Sequence, residues 1–269
     1  GQSRSERAKR GQAVGSEIGP ALRRRDAAFG ASPAAICFFA VTTVAVLQPG
    51  FLPWLGFFDQ MIRSDVFVIY DDVQFDKHGW RNRNRIKTAN GVAWLTVPVR
   101  HSGHHGQAIS DVKIDNSRNW ARKLVSAIHQ AYSRAPHCEP YVKQLAEILT
   151  RPWDNLIDLD LCIIELMARW FEVETNLLKA SELGIRGSQS GRLLEICQHF
   201  GASRYLSGNA AKSYLDNQLF DNAGIEVVWQ DYAHPSYPQL HGEFVPYLSA
   251  LDLILNVGPE SPKVIRGKS

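Results

Sequence analysis

Two short apolar segments, each too short for a typical helix, constrain the fold of this chain most. They are residues 44–47 and 66–70, and residues 55–62 between them carry apolar side chains at helical spacing. Antiparallel neighbours can be joined by a tight turn, whereas parallel neighbours need a crossover, usually a helix. The sequence therefore predicts a strand, a helix, and a second strand parallel to the first.

Further short apolar segments and helical patterns follow along the rest of the chain. Strands are predicted at residues 92–99, 109–114, 177–180, 204–206 and 225–230, with a hairpin turn at Asn90-Gly91. Helices are predicted at residues 116–132, 140–149, 153–171, 192–200, 214–220 and 247–255, and Gly201 is a predicted helix C-cap. The predicted fold class is α/β, a mostly parallel sheet flanked by helices, with a helical insertion in the middle of the chain at about residues 116–172.

The domain organisation follows from where these patterns begin and end. Residues 1–42 are rich in arginine, alanine, glycine and serine, so we predict a disordered N-terminal extension. Residues 43–265 are predicted to form a single α/β domain, followed by a tail at residues 266–269. Residues 34–47 imitate a signal peptide, but a cleavage near their end would remove the first predicted strand. No segment reaches the roughly 18 apolar residues of a spanning helix, so no transmembrane segment is predicted.

Composition narrows the classes of partner. The 269 residues are 45% hydrophobic and 21% charged, which is ordinary for a soluble globular protein. The formal net charge of +3 lies partly in the N-terminal extension. A near-neutral domain argues against nucleic-acid binding but allows a local anion site. The four cysteines form no CxxC pair, and Cys162 and Cys197 are predicted to be buried thiols, so we expect a cytoplasmic protein.

The segment after the second strand is dense in cations and amides. A cation stands at every second position, so an extended chain would place all four on one face and the asparagines on the other. Guanidinium groups bind oxyanions through paired hydrogen bonds, which suits a phosphate-bearing ligand, whereas the asparagines would face a sugar or a backbone. A charged, exposed edge strand is the alternative, and Trp80 is either a stacking or a packing residue. The candidate ligand-binding residues are His78, Arg81, Asn82, Arg83, Asn84, Arg85 and Lys87.

Two adjacent carboxylates, Asp71 and Asp72, end the second predicted strand. Adjacent side chains of an extended chain point to opposite faces, so one of the two would enter a given site. A carboxylate there can bind Mg²⁺, hold a hydroxyl or act as a general base. The alternatives are a solvated turn or an ion pair with nearby arginines.

Polar residues also follow other predicted strands. In open parallel sheets, ligands bind beyond the carboxyl ends of the strands, which would gather these residues into one region. His234 is the candidate general base there, with a structural hydrogen bond as the alternative role. Helix capping is the alternative for the serine-rich segment at residues 188–192. The further candidate ligand-binding residues are Gln48, Ser190, Arg192, Ser207, Asn209, Tyr237 and Gln239.

Known catalytic motifs give little support to other enzyme classes. His101 and His104 match the HxGH pattern of nucleotidylyltransferases, but there the pattern follows the first strand and opens a helix. Here it follows a later predicted strand, so a glycine-rich loop is the simpler interpretation. The chain has no P-loop, GxGxxG, zinc pattern or Ser-His-Asp order, so hydrolase and dinucleotide oxidoreductase functions have no positive support.

Five motifs together resemble the WbqC-like family of bacterial proteins. They are residues 48–56, 64–68, 71–75, 82–87 and 94–99, and the resemblance extends from about residue 44 to about residue 261. It implies a role in making surface polysaccharide of the O-antigen type or a related glycoconjugate. The family pattern also implies a histidine before Gln48 in many members, and this chain has Leu47 there.

The residues and the resemblance together predict a transferase that acts on a phosphate-bearing or nucleotide-activated small molecule. In this interpretation the cationic segment holds phosphates, Asp71 or Asp72 binds a metal or a hydroxyl, and His234 is the base. Magnesium is a possible cofactor, and no nucleic-acid partner is predicted. The alternative is a non-catalytic ligand-binding or scaffold protein of the same pathway.

Overall fold

A five-stranded parallel sheet organises the part of the chain that this computed structural model describes, residues 41–100 and 106–267. The sheet contains β1 (Thr43–Leu47), β2 (Val66–Ile69), β5 (Asn176–Lys179), β6 (Arg204–Ser207) and β7 (Glu226–Trp229), and a separate hairpin contains β3 (Arg83–Thr88) and β4 (Gly91–Thr96). The order across the sheet is β5-β2-β1-β6-β7, and every neighbouring pair is parallel. The predicted α/β class is therefore confirmed.

Alternation along the central strand explains why the sheet is covered on both faces. In β1, Val44 and Val46 point into one apolar cluster, which also contains Phe220, and Ala45 points into a larger cluster on the other face. Both faces of a parallel sheet are buried because the crossover helices pack against them. This accounts for the uninterrupted apolar character of residues 44–47 in the sequence.

Helices cover both faces and fill the middle of the chain. Their bounds are α1 (Leu55–Ile62), α2 (Trp120–Tyr132), α3 (Cys138–Leu149), α4 (Leu156–Trp170), α5 (Gln189–His199), α6 (Asn217–Asn222), α7 (Leu251–Val257) and α8 (Ser261–Ile265). In α2 the buried residues include Trp120, Leu124 and Ile128, the stripe expected from the helical period. Gly201 follows α5 with a φ of +60°, as a C-cap requires.

The β3–β4 hairpin has one buried and one open face. Gly91 has a φ of +101° at the predicted Asn90-Gly91 turn, a conformation that favours glycine. Ile86 and Leu95 are buried on the inner face, whereas Trp94 is half exposed on the outer face. The hairpin therefore presents β3 and β4 side chains to solvent on one side only.

Four predictions from the sequence were wrong. The helix predicted at residues 247–255 begins only at Leu251, because the N–H groups of Ser249 and Ala250 bond to the carbonyls of Arg85 and Pro53. Residues 109–114 form no strand, because Ile109 begins a 3₁₀ turn (Ile109–Asp111) whose N–H groups bond to the carbonyls of Val73 and Asp71. The helix predicted at residues 214–220 begins only at Asn217, because the Asp216 carboxylate accepts the N–H of Leu219 at 3.3 Å and caps α6 there. Cys162 is half-buried rather than buried.

Some predictions fall on residues that the structure does not describe. The predicted extension lies almost wholly outside the described residues, as do His101 and His104 of the HxGH pattern. Within the described residues, no helix is both long enough and apolar enough to cross a membrane.

Candidate functional site

The order of the sheet marks one place where a ligand would bind. From β1 the chain moves outwards to β2 and β5 on one side, and later occupies β6 and β7 on the other. The connection that leaves β1 therefore runs to one side and the connection that leaves β6 runs to the other. Between them is a crevice at the carboxyl ends of these two strands. Gln48 directly follows β1 and Ser207 ends β6, so both lie at this switch point.

The cationic segment lies against the loop that follows β1. The N–H of Phe51 donates to the carbonyls of Trp80 at 3.2 Å and of Arg81 at 3.0 Å, and Arg81 Nη1 donates to the Pro49 carbonyl at 2.9 Å. A Cβ at Gly50 would lie 3.1 Å from the Trp80 carbonyl oxygen, so glycine permits this close approach. The predicted phosphate-binding segment therefore lies beside the switch point.

Backbone carbonyls hold the three arginines, and carboxylates do not. Arg83 Nε donates to the Gly79 carbonyl at 3.3 Å and a second Arg83 nitrogen donates to the His78 carbonyl. Arg85 Nη2 donates to the Tyr247 carbonyl at 3.2 Å. Among the described residues, Arg81, Arg83 and Arg85 form no ion pair with a carboxylate. The charges of Arg83 and Arg85 are thus left available for an anion. Burial lowers the pKa of Arg81, and the Asp160 and Asp76 carboxylates oppose the fall, so part of its charge is already balanced.

The fourth cation, Lys87, is engaged in a different way. It is buried, and Nζ donates to Gln239 Oε1 and to the Gly242 carbonyl, both at 3.2 Å, and to the Glu243 carbonyl. All three ammonium hydrogens thus have acceptors inside the protein. Through these hydrogen bonds Lys87 joins residues 239–243 to β3.

The interleaved asparagines bind backbone, which was one of the two predicted alternatives. Asn82 Nδ2 donates to the Val97 carbonyl at 2.8 Å, and Asn84 Nδ2 donates to the Leu52 carbonyl at 2.7 Å. Asn84 therefore joins β3 to the loop after β1. Both side chains are buried on the hairpin face opposite the arginines.

A buried polar network extends from Gln239. Its Nε2 donates to Asp252 Oδ2 at 2.8 Å, and Asp252 Oδ1 accepts the Tyr132 hydroxyl at 2.7 Å. Burial raises the pKa of Asp252 above its ordinary value, although hydrogen bonds from Tyr132, Tyr237 and Gln239 oppose the rise. Tyr237 and Gln239, both predicted ligand-binding residues, therefore contact this structural network.

His234 has a geometry that suits a base. Its Nδ1 lies 2.9 Å from the Pro235 carbonyl, an acceptor that places the ring proton on Nδ1 and leaves Nε2 unprotonated. Nε2 is buried and has no hydrogen-bond partner among the described residues. Burial lowers the pKa of His234, and the bond to Pro235 opposes the fall, so the ring is neutral near pH 7.

Aromatic rings surround His234 and connect it to the arginines. The Tyr247 ring lies 5.1 Å and the Tyr232 ring 5.9 Å from the His234 ring, measured between centroids. Trp54 contacts both tyrosines, at 5.8 Å and 5.2 Å. Since Arg85 donates to the Tyr247 carbonyl, the candidate base and the cationic segment share Tyr247 as a neighbour.

The two carboxylates at the end of β2 are both held by residues later in the chain, one after β5 and one in α5. Asp71 is buried and accepts the N–H and the hydroxyl of Ser181 at 3.0 Å and 2.6 Å. Both Asp72 oxygens accept from Arg192, one at 2.8 Å, in a paired bond that compensates the two charges. Ser190 Oγ accepts the N–H of Asp216 at 3.0 Å.

The predicted residues therefore fall into two groups. Arg81, Arg83, Arg85 and His234 lie around the loop after β1, whereas the Asp71 and Asp72 contacts lie toward α5. No hydrogen bond or ion pair among the described residues joins the two groups. Of the remaining candidates, Ser207 is buried at the end of β6, Asn209 and His78 are exposed, and Gln48 is partly exposed.

Sequence reasoning missed several side chains of this site. Trp54, Tyr232 and Tyr247 form the aromatic surroundings of His234. Asp160 is fully buried in α4, with both carboxylate oxygens lacking a partner among the described residues. Its position on the apolar stripe of a predicted helix was a signal that could have revealed it, because an isolated carboxyl group is rarely buried.

The described residues do not include a grouping of three histidine, cysteine, aspartate or glutamate side chains that could hold a metal ion. Mg²⁺ often binds through one or two carboxylates together with the phosphates of a substrate. The magnesium hypothesis therefore stays a prediction, with Asp71 and Asp72 as its residues.

Comparison with known proteins decides the family. The model of the WbqC-like protein family matches residues 48–264. The chain belongs to the WbqC-like protein family. A relative described as an uncharacterized protein of Mycobacterium tuberculosis (strain ATCC 25618 / H37Rv) is 39% identical over 225 residues, which cover 83% of this chain and 97% of the relative. No solved structure matches the chain. The matched range includes every candidate site residue named above, from Gln48 to Gln239.

Proposed function

We propose that this WbqC-like protein is a cytoplasmic transferase acting on a phosphate-bearing or nucleotide-activated substrate in the synthesis of surface polysaccharide or a related glycoconjugate. One observation carries the proposal. Arg83 and Arg85, which form no ion pair with a carboxylate among the described residues, lie with Arg81 beside the switch point of a parallel sheet, where ligands of such sheets bind. Guanidinium groups in this state favour an oxyanion ligand.

Anchoring of the arginines supports an anion site rather than a merely charged surface. Each guanidinium is fixed by a bond to a backbone carbonyl, so little side-chain freedom is lost when a ligand binds. The Nε–H groups of Arg81 and Arg85 are buried and have no acceptor within residues 41–100 and 106–267, a state that costs free energy. A ligand oxygen within reach of either group would recover part of that cost.

His234 supplies the second element of the proposed reaction. In a transfer to an acceptor hydroxyl, the bond between the transferred group and the donor phosphate breaks, and a bond to the acceptor oxygen forms. The acceptor proton passes to Nε2 of His234, which the hydrogen bond to Pro235 keeps unprotonated; the aromatic rings around this buried nitrogen must move to admit the acceptor hydroxyl. The departing phosphate carries the negative charge, and Arg83 and Arg85 stabilise it.

A thermal-shift panel tests the anion site. Nucleotides, sugar nucleotides, sugar phosphates and inorganic pyrophosphate would each be added with and without Mg²⁺. A ligand at a hundred times its dissociation constant adds about 2.7 kcal/mol of stability, which is a rise in melting temperature of roughly 5–10 °C. We expect such a rise for the wild-type protein and none for the Arg83→Gln/Arg85→Gln variant.

The matched control removes two charges elsewhere. Arg169 is exposed at the end of α4, and the exposed Arg204, which pairs with Glu226 at 2.9 Å, lies at the amino end of β6, away from the carboxyl ends of the strands. The Arg169→Gln/Arg204→Gln variant should keep the full rise. If both double variants respond like the wild type, the arginines do not hold the ligand and the proposal is wrong.

A second candidate function, ligand binding without turnover, is favoured by the separation of the predicted catalytic groups. The Asp71 carboxylate accepts from Ser181 and the Asp72 carboxylate from Arg192, and in the described part of the chain neither forms a hydrogen bond with His234. Release of nucleoside diphosphate from the best-binding sugar nucleotide, followed by chromatography, separates the two candidates. If the protein is a transferase, the wild type turns the substrate over, and His234→Gln abolishes turnover but keeps binding. If it is a binding protein, neither the wild type nor the variant shows turnover.

A further inference from the structure

Two tryptophans form an open pair on the outer face of the β3–β4 hairpin. The ring centroids of Trp80 and Trp94 are 5.1 Å apart, and the two residues are 42% and 49% exposed. Large aromatic side chains are usually buried, because their apolar area is costly in water. Two adjacent half-open indoles therefore mark a surface that binds something.

Arginines border this pair. The Arg83 guanidinium carbon lies 4.7 Å from the centroid of the Trp94 ring, and that of Arg85 lies 5.2 Å from Trp80 and 5.9 Å from Trp94. These are the same arginines that lack carboxylate partners among the described residues. Aromatic faces and uncompensated positive charge are therefore within a few ångströms of each other.

The donors of Arg85 are only partly used. One of its five N–H groups donates to the Tyr247 carbonyl, and the buried Nε–H has no acceptor. The carbonyl bond fixes the guanidinium beside the tryptophans. An oxyanion placed at its open edge would therefore meet a donor group that is already oriented.

Such a surface could bind another protein or a small molecule with an aromatic ring, and the charge of the arginines decides between the two. Tryptophan and arginine are also common at the centre of protein–protein interfaces. Here the two arginines require a partner with negative charge within stacking distance of the rings. A nucleoside diphosphate has both parts, since its base can stack on an indole while its phosphates bind guanidinium groups. A simple sugar phosphate has no planar base.

We propose that Trp80 and Trp94 are the base-binding platform for a nucleoside diphosphate group whose phosphates bind Arg83 and Arg85. The proposal rests on the proposed function, because it uses the same arginines. It adds the substrate class, a nucleotide-activated donor rather than a simple phosphate ester. It also assigns Trp94, for which the sequence suggested no role.

Equilibrium titrations measure the contribution of the base directly. Dissociation constants of UDP, ADP, inorganic pyrophosphate and glucose 1-phosphate would be measured by calorimetry for the wild type, Trp94→Leu, Arg85→Gln and Tyr214→Leu. Stacking of one base predicts that at least one nucleoside diphosphate binds about tenfold or more tightly than pyrophosphate. Trp94→Leu should lose this preference and keep pyrophosphate binding.

The remaining variants supply a control, a second test of the platform and a test of the anion site. Tyr214→Leu also removes a ring from the surface, where the residue is 68% exposed, and should keep the preference for the nucleoside diphosphate. Trp80→Leu tests the platform a second time if Trp94→Leu fails to fold, as judged by circular dichroism. Arg85→Gln should weaken pyrophosphate and nucleoside diphosphate alike.

The outcomes separate the platform from the anion site. If the wild type binds pyrophosphate as tightly as nucleoside diphosphates, or if both tryptophan variants keep the preference, the platform is wrong and the anion site stands. If no phosphate compound binds the wild type, or Arg85→Gln weakens none, the proposed function also fails. If the tryptophan variants instead dissociate a dimer seen by sedimentation, the pair is a protein interface and the platform is overturned.

Discussion

Replacing Tyr132 with phenylalanine should destabilise the protein, because one hydroxyl makes two buried hydrogen bonds. The hydroxyl donates to Asp252 Oδ1 at 2.7 Å and accepts the backbone N–H of Lys87 at 3.1 Å. Tyr132 and Asp252 are both 0% exposed, so water cannot replace either bond. The substitution therefore removes one of the hydrogen-bond donors to the buried Asp252 carboxyl group and leaves the Lys87 N–H without its acceptor.

The magnitude follows from these two losses. A hydrogen bond to a charged group contributes about 1.5–3 kcal/mol, and a buried donor left without an acceptor costs about 1–3 kcal/mol. The free energy of unfolding should fall by roughly 3–5 kcal/mol in total. For a domain of this size each 1 kcal/mol is about 2–4 °C, so the melting temperature should fall by roughly 6–20 °C.

The loss of stability in the Tyr132→Phe variant should also depend on pH. Burial already raises the pKa of Asp252, and loss of the Tyr132 donor raises it further. A carboxyl group whose pKa is raised by folding binds its proton more tightly in the folded state. Stability is therefore lost as pH rises from the unfolded value through the folded value. The variant should be closest to the wild type at low pH and furthest from it near pH 8.

Thermal denaturation followed by circular dichroism at pH 5 and pH 8 measures both effects. Tyr214→Phe is the matched control, because Tyr214 is 68% exposed and its hydroxyl is accessible to water. It should melt with the wild type at both pH values. A Tyr132→Phe variant that melts within roughly 1 °C of the wild type at pH 8 would refute the two-bond argument.

Three other substitutions probe the same fold. Burial raises the pKa of Asp160 well above its ordinary value, so wild-type stability should fall as pH rises through that raised pKa. In urea denaturation between pH 5 and pH 8, Asp160→Asn should reduce this dependence of stability on pH. An unchanged dependence in the variant would contradict the prediction. Gly56→Ala would put a Cβ 2.2 Å from the Trp54 ring. The free energy of unfolding should fall by about 1–3 kcal/mol, although alanine has the better helix propensity. Thermal denaturation measures this loss, and near-ultraviolet circular dichroism follows the environment of Trp54. Arg192→Ala leaves the partly buried Asp72 unpaired and should cost about 2 kcal/mol in urea denaturation, whereas a neutral result would mean that the ion pair is dispensable.

Local periodicity was enough to predict most of the secondary structure. The crossover from β1 through α1 to β2 follows from the change of apolar period between residues 44 and 70, and the parallel pairing of β1 and β2 confirms it. The same reasoning failed at residues 109–114, where Ile109 and Ile114 are both buried. Two buried isoleucines fit a strand or a loop that crosses the core, and periodicity does not distinguish these.

Long-range contacts explain what the sequence left open at the site. Asp72 and Arg192 are 120 positions apart, and Lys87 and Gln239 are 152 apart. No local pattern predicts which partner a charged side chain will find across such distances, because tertiary packing decides it. Adjacency to strand ends predicts that these polar residues gather in one region, but it gives no reason for the separation of the arginines from Asp71 and Asp72, which are held by Ser181 and Arg192.

A crystal structure of the wild-type protein soaked with inorganic pyrophosphate tests the central claim most directly. The account predicts phosphate oxygens at hydrogen-bond distance, about 2.7–3.0 Å, from the guanidinium nitrogens of Arg83 and Arg85, beside the loop after β1. Pyrophosphate bound elsewhere, for example at the N-terminus of α5, with these arginines unchanged, would contradict it.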